Sequence, residues 1–254
     1  MHSYAGKKAV VVGGTHGMGR AIVDALLHGG AEVLLTGRNG QRLDASRREL
    51  AGRAQVVPSD VASLAEIDAL GAFVEQELGQ VDAVFVNAGH AQIGALGDVT
   101  EAAYDQTFAV NTKGAFFTMQ RLAPLVRDGG AFVVTTSIAD ETGTPGMSVY
   151  SGSKAALRAF TRVFAAELLP RGIRVNAVSP GFIQTPTMGI AGASTEELAA
   201  FEQEGSAVTP MGRIGAPGEV AAAALFLAFH ATFTTGTEFP VDGGLAQQLD
   251  APHT

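Results

Sequence analysis

The sequence predicts an α/β protein with a doubly wound, seven-stranded, mostly parallel sheet and helices on both faces. Short valine-rich runs alternate with amphipathic segments along the whole chain. Strands that are buried on both faces have this composition, and strand–helix alternation implies right-handed crossovers between parallel strands. The 254 residues, of which 46% are apolar, are enough to form one large core.

Seven apolar runs are the predicted strands, at positions 9–12, 33–36, 54–57, 83–86, 132–136, 173–178 and 238–241. Amphipathic segments predict helices that include 19–27, 64–78, 104–126 and 149–169. No repeat or linker-like tract divides the chain, so residues 1–254 are expected to form a single domain. The long irregular segment 185–215 is expected to be a lid with some helix of its own, because inserts of this length are usually functional.

Charge and residue usage exclude several classes of protein. The formal net charge of −8 leaves no basic face to neutralise a nucleic-acid backbone. The absence of cysteine excludes disulfides and thiolate catalysis, and the six histidines lack metal-ligand spacing, so no metal is expected. No signal peptide is recognisable, and no apolar run reaches the roughly 20 residues that cross a bilayer. We therefore expect a cytoplasmic protein with no nucleic-acid or membrane partner.

A glycine-rich segment follows the first predicted strand and opens the first helix. Gly13, Gly17 and Gly19 form a Gly-x-x-x-Gly-x-Gly pattern, which allows a tight turn and a close approach of the backbone to a ligand. The start of the following helix offers N–H groups to a pyrophosphate. We therefore predict dinucleotide binding by this loop, with Thr15 and Met18 among the contacts.

The end of the second strand indicates which dinucleotide is expected. An acidic residue usually binds a free ribose 2′-hydroxyl there, but this chain has Gly37 followed by Arg38. Arginine suits a 2′-phosphate, and His16 could add a second contact. A solvated turn is the alternative interpretation of Arg38. The pattern favours NADP(H) over NAD(H).

Two further segments follow predicted strands at the edge where open α/β sheets bind ligands. Asp60 and Val61 follow the third strand, where a carboxylate could accept a hydrogen bond from an adenine amino group. Asn87, Ala88 and Gly89 follow the fourth strand, where small residues would let a ribose pack against the backbone. Ordinary turn chemistry is the alternative for both segments.

The segment 148–157 is predicted to open a helix that carries the candidate chemistry. Tyr150 and Lys154 are four residues apart, so they lie on one helix face. A nearby ammonium group lowers the pKa of a phenol, ordinarily about 10, by favouring the phenolate. Such a tyrosine can donate a proton to a carbonyl oxygen and recover it. The same spacing also occurs on many helices without any function.

In their order and spacing these motifs resemble those of the short-chain dehydrogenase/reductase family, in its compact single-domain branch near 3-oxoacyl-(acyl carrier protein) reductases and carbonyl reductases. The resemblance extends over about residues 7–244. Besides the glycine loop it depends on Asn87-Ala88-Gly89, Asn111, Ser137, Tyr150-x-x-x-Lys154, Ser179-Pro180-Gly181 and Val241-Asp242-Gly243-Gly244. It implies a Rossmann fold that binds NAD(P) and a homotetramer or homodimer.

The resemblance also implies a role for each matching residue. Tyr150 would be the general acid in carbonyl reduction and the base in alcohol oxidation, and Lys154 would lower its pKa and bind the nicotinamide ribose. Ser137 would hold the substrate oxygen. Asn111, on a neighbouring helix, would anchor a water that links Lys154 to solvent. The nicotinamide carboxamide would meet the segment after strand six, through Pro180, Gly181, Ile183 and Thr185.

The chain departs from the family pattern in two places. Val12 replaces the usual threonine and Val86 the usual second asparagine, and we expect an apolar contact between neighbouring strand ends to replace a polar one. Asp140 stands where a glycine is more usual and is followed by Glu141. If these two carboxylates faced the substrate mouth, they would disfavour anionic substrates.

The sequence therefore predicts an NADPH-dependent reductase that acts on a small ketone or aldehyde. Two alternatives stay open: an NAD(P)-dependent dehydrogenase of a secondary alcohol, sugar or steroid, and a non-catalytic NADP-binding regulator. The set of Asn111, Ser137, Tyr150 and Lys154 argues against the regulator, because a protein that only binds the cofactor need not keep all four.

Overall fold

The computed structural model describes residues 3–186 and 194–249. Its strands are β1 (Lys8–Val12), β2 (Glu32–Gly37), β3 (Gln55–Pro58), β4 (Val81–Val86), β5 (Val126–Thr135), β6 (Arg174–Pro180) and β7 (Glu238–Val241). They form one sheet in the order β3-β2-β1-β4-β5-β6-β7, and every neighbouring pair is parallel. The predicted α/β sheet is confirmed, and all of its seven strands are parallel.

The helices are α1 (Gly17–His28), α2 (Gly40–Leu50), α3 (Leu64–Glu77), α4 (Glu101–Phe108), α5 (Ala115–Leu122), α6 (Ser148–Leu168), α7 (Thr195–Val208) and α8 (Pro217–Phe229). One face of the sheet packs against α3, α5 and α6, and the other against α1, α2 and α8. Alternate β1 residues enter the two cores, Val10 on one face and Val11 on the other. This double burial explains why the strands are continuous apolar runs.

The strand order reverses beside β1, which lies between β2 and β4. In open α/β sheets the crevice at such a switch point, outside the carboxyl ends of the strands, holds the ligand. Val12 pairs in register with Val86 at the ends of β1 and β4, and both side chains are buried in the same core. The expected apolar contact between these strand ends is confirmed.

The prediction of one helix over 104–126 is wrong. The chain instead forms α4, a π-helical segment at Ala109–Gly114, α5 and a short 3₁₀ turn at Ala123–Leu125. Pro124 lies in that turn, because proline cannot continue an α-helical hydrogen-bond ladder. The sequence analysis missed this interruption because the apolar period runs through it.

The fifth strand begins at Val126, ahead of the predicted start at 132. Its register against β4 shifts between Val81 and Ala83, which pair with Val126 and Ala131. The extra residues of β5 form a bulge in which Gly129 has a φ of +77°, a conformation that favours glycine. The Asp-Gly-Gly segment has the composition of a turn, which hid the start of the strand.

Helix α7 lies within the expected lid, as the sequence analysis anticipated. Ser194 and Glu197 form a reciprocal capping box at its start, and Phe201 packs on Phe182 with ring centroids 4.8 Å apart. Residues 187–193 of the expected lid lie outside the described residues. Within 3–186 and 194–249, no helix has the length and apolar character needed to span a bilayer.

Candidate active site

A cleft of about 460 Å³ opens beyond the carboxyl ends of β1, β2, β4 and β5. It is lined by the predicted site residues Gly13, Thr15, His16, Gly17, Met18, Arg38, Asp60, Val61, Asn87, Ala88, Gly89, Ser137, Tyr150, Lys154, Pro180, Gly181, Ile183 and Thr185. The two predicted residues that do not line the cleft are Gly19 and Asn111, each of which packs behind residues that do. The fold thus brings segments that are far apart in the chain to one site.

The glycine loop packs directly on the backbone that follows β4. Gly13 has a φ of +82°, and a Cβ atom there would lie 2.7 Å from the Ala88 nitrogen. A Cβ atom at Gly19 would lie 2.1 Å from the Gly13 carbonyl oxygen, while Asn87 Nδ2 donates to that oxygen over 3.2 Å. Only glycine allows this approach.

The start of α1 is available to an anion. Its N-cap residue, His16, makes no side-chain capping bond, and no acidic residue lies in its first turn. The N–H groups of the first helical turn have no partner within their own helix and carry the positive end of the helix dipole. Together with the glycine cradle, this donor set fits the pyrophosphate of a dinucleotide.

Three basic side chains line the cleft beside the end of β2. Arg42 Nη1 lies 2.9 Å from His16 Nε2, and because arginine can only donate, His16 accepts through this nitrogen. Burial and the Arg42 charge both lower the pKa of His16. Arg38, whose side chain is 52% exposed, lies 3.8 Å from the carboxylate of Asp60. This end of the cleft is therefore cationic and can hold a phosphate.

The sequence analysis missed Arg42. Asn39 caps α2, and its Oδ1 accepts a hydrogen bond from the Arg42 nitrogen over 3.0 Å. Arg42 lies four residues after Arg38, in the first turn of α2, and lines the same cleft. An asparagine N-cap three residues before an arginine was the available signal, but only the packing of α2 shows that this arginine faces the loop.

Tyr150 and Lys154 are brought to the cleft wall by α6. Lys154 is 3% exposed, and its Nζ donates to the Thr135 carbonyl oxygen over 2.8 Å. The same Nζ lies 5.7 Å from the centroid of the Tyr150 ring. Ser137 caps a short 3₁₀ helix, Ile138–Asp140, with its Oγ accepting from the Ala139 nitrogen over 3.2 Å.

The predicted direction of the Tyr150 pKa shift is wrong. Burial raises the pKa of Tyr150, a hydrogen bond with Ser137 lowers it, and the Asp140 charge raises it further. Burial also lowers the pKa of Lys154 to about 8, against an opposing effect of Asp140. The spacing argument considered only the ammonium charge, whereas desolvation disfavours the charged form of both groups.

Asn111 lies in the π-helical segment and is fully buried. Its Oδ1 accepts from the His90 nitrogen over 2.7 Å, and its Nδ2 donates to the His90 carbonyl oxygen and to Ser153 Oγ over 2.8 and 2.9 Å. A Cβ atom at Gly89 would lie 3.6 Å from Lys154 Nζ. Asn111 thus ties the loop after β4 to α6, and π-helical segments are frequent at functional sites.

Other residues outside the predicted set also line the cleft. His90 lines the cleft, and its backbone nitrogen and carbonyl oxygen are both hydrogen-bonded to the Asn111 side chain. Burial and the Arg38 charge lower the pKa of the His90 imidazole. Further lining residues outside the predicted set are Thr36, Gly37, Asn39, Ser59, Ala91, Val110, Thr135 and Thr136. Most of them adjoin a predicted motif, so the motifs marked the right strand ends.

The segment after β6 reaches the start of α1. Ile183 forms a bridge with Gly215, and Gln184 N donates to the Gly215 carbonyl oxygen over 2.8 Å. A Cβ atom at Gly17 would lie 3.3 Å from Thr185 Cγ2. The cleft is therefore continuous between the glycine loop and the residues expected to meet the carboxamide.

Neither of the two unusual carboxylates lines this cleft. The Asp140 side chain is completely buried and pairs with Arg158, and Glu141 pairs with the same arginine. The expectation that these groups would repel anionic substrates at the mouth is therefore not met. Asp140 ends the short 3₁₀ helix that Ser137 caps, and its side chain has no exposed surface.

The chain is similar to known oxidoreductases over nearly its whole length. The sequence profile of a family described as enoyl-(acyl carrier protein) reductase matches residues 12–246. Oxidoreductase asL5 from Sarocladium schorii is 39% identical over 95% of this chain and 96% of its own length. L-fucose dehydrogenase from Mus musculus is 36% identical over 95% of this chain and 89% of its own length.

A solved structure described as the Pseudomonas aeruginosa RhlG/NADP active-site complex has a TM-score of 0.86 and 31% identity to this chain. The match covers 97% of this chain and 100% of that chain. Family profile, curated relatives and solved structure all extend over nearly the whole sequence. The chain belongs to the short-chain dehydrogenase/reductase family of NAD(P)-binding oxidoreductases.

Proposed function

We propose that this protein is an NADPH-dependent reductase of a small ketone or aldehyde, reversible in principle. The observation that carries the proposal is the shared cleft, which has Ser137, Tyr150 and Lys154 at one end and the glycine loop at the other. Bound NADPH would supply the hydride. The protein would supply a proton, hydrogen bonds to the substrate oxygen and the orientation of the substrate.

In the proposed mechanism the hydroxyl groups of Ser137 and Tyr150 hydrogen-bond the carbonyl oxygen. Tyr150 donates its proton as negative charge develops on that oxygen. The Lys154 ammonium favours the resulting phenolate, and Asn111 holds the loop beside Lys154. In the reverse direction the Tyr150 phenolate removes the proton of the alcohol.

We also propose a preference for NADP(H) over NAD(H). The two cations Arg38 and Arg42 support it, because charge-assisted bonds from arginine suit a 2′-phosphate, and the neighbouring His16 adds a polar side chain at the same end of the cleft. No acidic residue follows β2 at the position that binds a free 2′-hydroxyl. The similarity to the RhlG/NADP complex points in the same direction.

The test is oxidation of NADPH and NADH, measured in parallel against ketones, aldehydes and β-keto esters. Turnover is expected with NADPH, and with NADH only weakly. Tyr150→Phe should abolish turnover and keep cofactor affinity. Absence of turnover with every substrate, while NADPH still binds, would overturn the reductase assignment and favour the non-catalytic regulator.

A dehydrogenase that works in the oxidative direction is the second candidate. The observation that favours it is the 36% identity to an L-fucose dehydrogenase. The same cleft would then hold a sugar or another secondary alcohol, with Tyr150 as the base. Reduction of NADP⁺ and NAD⁺ with a panel of sugars, steroids and secondary alcohols separates the two candidates.

We further propose that residues 1–254 act as one cofactor-binding domain with a lid at about 185–215, and that the protein is a cytoplasmic homotetramer or homodimer. Exposed apolar side chains support assembly, among them Val163 on α6 and the Phe226–Phe239 pair beside edge strand β7. Light scattering and cell fractionation test these two points.

A further inference from the structure

Arg158 forms ion pairs with three carboxylates, those of Asp140, Glu141 and Glu238, behind the candidate active site. Its Nε lies 3.4 Å from Asp140 Oδ2 and its Nη1 3.6 Å from Glu238 Oε2, and Nη1 also bonds Glu141. Neither oxygen of Asp140 has a hydrogen-bond partner among the described residues, although its side chain is completely buried. The single charge of Arg158 does not balance the three carboxylates that it contacts, and unbalanced negative charge is costly where water is excluded.

This cluster does not require a metal ion. Carboxylate oxygens of Asp140, Glu141 and Glu238 lie within 4.8 Å of one another, a spacing that a cation could bridge. The guanidinium of Arg158 already contacts all three, and its positive charge would repel a metal ion in the same place. Arg158 is therefore the counter-ion of the cluster.

The cluster lies on the same side of α6 as the candidate catalytic pair. Tyr150, Lys154 and Arg158 follow one another at intervals of four residues, so they share one helix face. Asp140 ends the 3₁₀ helix that Ser137 begins, and this helix packs on α6. The Asp140 charge therefore lies on the side of α6 that carries Tyr150 and Lys154, and a buried charge is only weakly screened by solvent.

The charges of these groups are mutually coupled. Burial and then Glu238 raise the pKa of Asp140 to about 6, while Arg158 and Lys154 oppose the rise and Glu141 adds to it. Beyond the effects of burial, the Asp140 charge raises the pKa of both Tyr150 and Lys154. A negative charge makes it harder for either group to lose a proton.

We propose that Asp140 is a positioning residue whose buried negative charge, held by Arg158, sets the pH range over which Tyr150 and Lys154 exchange protons with the substrate. This inference rests on the proposed function, since it assigns acid–base work to Tyr150. The charged groups around Asp140 are Lys154 and Arg158 on α6, Glu238 on β7 and the adjacent Glu141, and Glu238 in turn faces Arg162.

The sign of the effect follows from the charge. Asp140→Asn removes the negative charge in nearly the same volume, so Tyr150 and Lys154 both lose their protons at lower pH. Carbonyl reduction needs protonated Tyr150, so as the pH is raised its rate should begin to fall at a lower pH in the variant than in wild type. Alcohol oxidation needs the Tyr150 phenolate, so its rate should begin to rise at a lower pH. Coulomb's law at an effective dielectric constant of about 20 gives a shift of about one pKa unit for a unit charge at a separation of about 10 Å, which sets the order of magnitude of the effect.

The first experiment is the pH profile of kcat/KM for wild type, Asp140→Asn and Glu141→Gln. Glu141 is the matched control, because it pairs with the same arginine but its side chain is 48% exposed. The alkaline limb should move down by about one pH unit in Asp140→Asn and by less than about 0.3 in Glu141→Gln. Equal profiles for wild type and Asp140→Asn would overturn the inference.

A second experiment needs no substrate and keeps this inference distinct from the proposed function. The chain has three tyrosines and no tryptophan, so ultraviolet titration of phenolate absorbance, with Tyr150→Phe subtracted, isolates Tyr150. Its titration step should move down by about one pH unit in Asp140→Asn. An unmoved step overturns the inference even if the enzyme is active, and a moved step supports it even if no substrate is found. If Asp140→Asn does not fold, Asp140→Gly takes its place.

Discussion

The buried carboxyl group of Asp140 leads to a quantitative prediction about stability. Its side chain has no exposed surface, and burial raises its pKa from 3.8 to about 6. The native state therefore holds this proton more tightly than the unfolded chain does. The stabilisation that results is complete below about pH 3.8 and is lost as the pH rises through about 6.

The magnitude follows from the size of the shift. A difference of about two pKa units corresponds to about 3 kcal/mol of unfolding free energy, of which about 2 kcal/mol is lost between about pH 4.5 and about pH 7.5. Asparagine does not titrate, so the unfolding free energy of Asp140→Asn should rise relative to that of wild type by about 2 kcal/mol as the pH rises over this interval. The titrations of groups that do not interact with Asp140 cancel in the comparison of the two proteins.

The assay is urea unfolding at fixed protein concentration and at a series of pH values, with the fixed concentration holding any assembly equilibrium constant. Asp128→Asn is the control, since Asp128 is 77% exposed and pairs with Arg171. Exposed ion pairs are worth about 0 to 1 kcal/mol, so its difference from wild type should stay nearly flat. A flat difference for Asp140→Asn, or one that shrinks as the pH rises, would refute the assignment of a buried, protonatable carboxyl group.

Three further predictions concern the cofactor end of the cleft. Arg42→Ala should weaken NADPH binding about tenfold or more and leave NADH binding nearly unchanged, because it removes the proposed charge-assisted contact to a 2′-phosphate. Arg48→Ala, exposed on the same helix, should change neither affinity, and calorimetric titration with both cofactors measures the difference. Gly19→Ala should abolish cofactor binding or folding, since its Cβ would lie 2.1 Å from a carbonyl oxygen; retained affinity in a folded variant would contradict the cradle. Val12→Thr should alter NADPH affinity by less than about threefold, because Val12 packs on Val86 inside an apolar core; a large gain measured by fluorescence titration would show that the apolar pair costs function.

Local patterns in the sequence were sufficient for the architecture. A parallel strand buried on both faces must be apolar throughout, and a helix buried on one face must have a period of 3.6 residues, so each element leaves its own signature. The motif residues follow strand ends, and the topology of a parallel sheet brings those ends to one edge. For this reason nearly all the predicted site residues line one cleft, although they could be predicted without any knowledge of side-chain packing.

The patterns failed where local composition and tertiary context disagree. Gly129 has the composition of a turn but lies within β5, where pairing with β4 extends the strand across a bulge. The apolar period of 104–126 hides a π-helical segment, which Asn111 stabilises through hydrogen bonds to His90 and Ser153. Both features depend on partners that are distant in sequence.

Electrostatics at the site was decided by the tertiary structure alone. The four-residue spacing of Tyr150 and Lys154 is a property of the sequence, but the directions of their pKa shifts depend on burial. The ion pair between Asp140 and Arg158 joins two elements that periodicity treats separately. A sequence determines which charges exist and how far apart they lie along an element, whereas desolvation and through-space coupling depend on what surrounds each charge once the chain has folded.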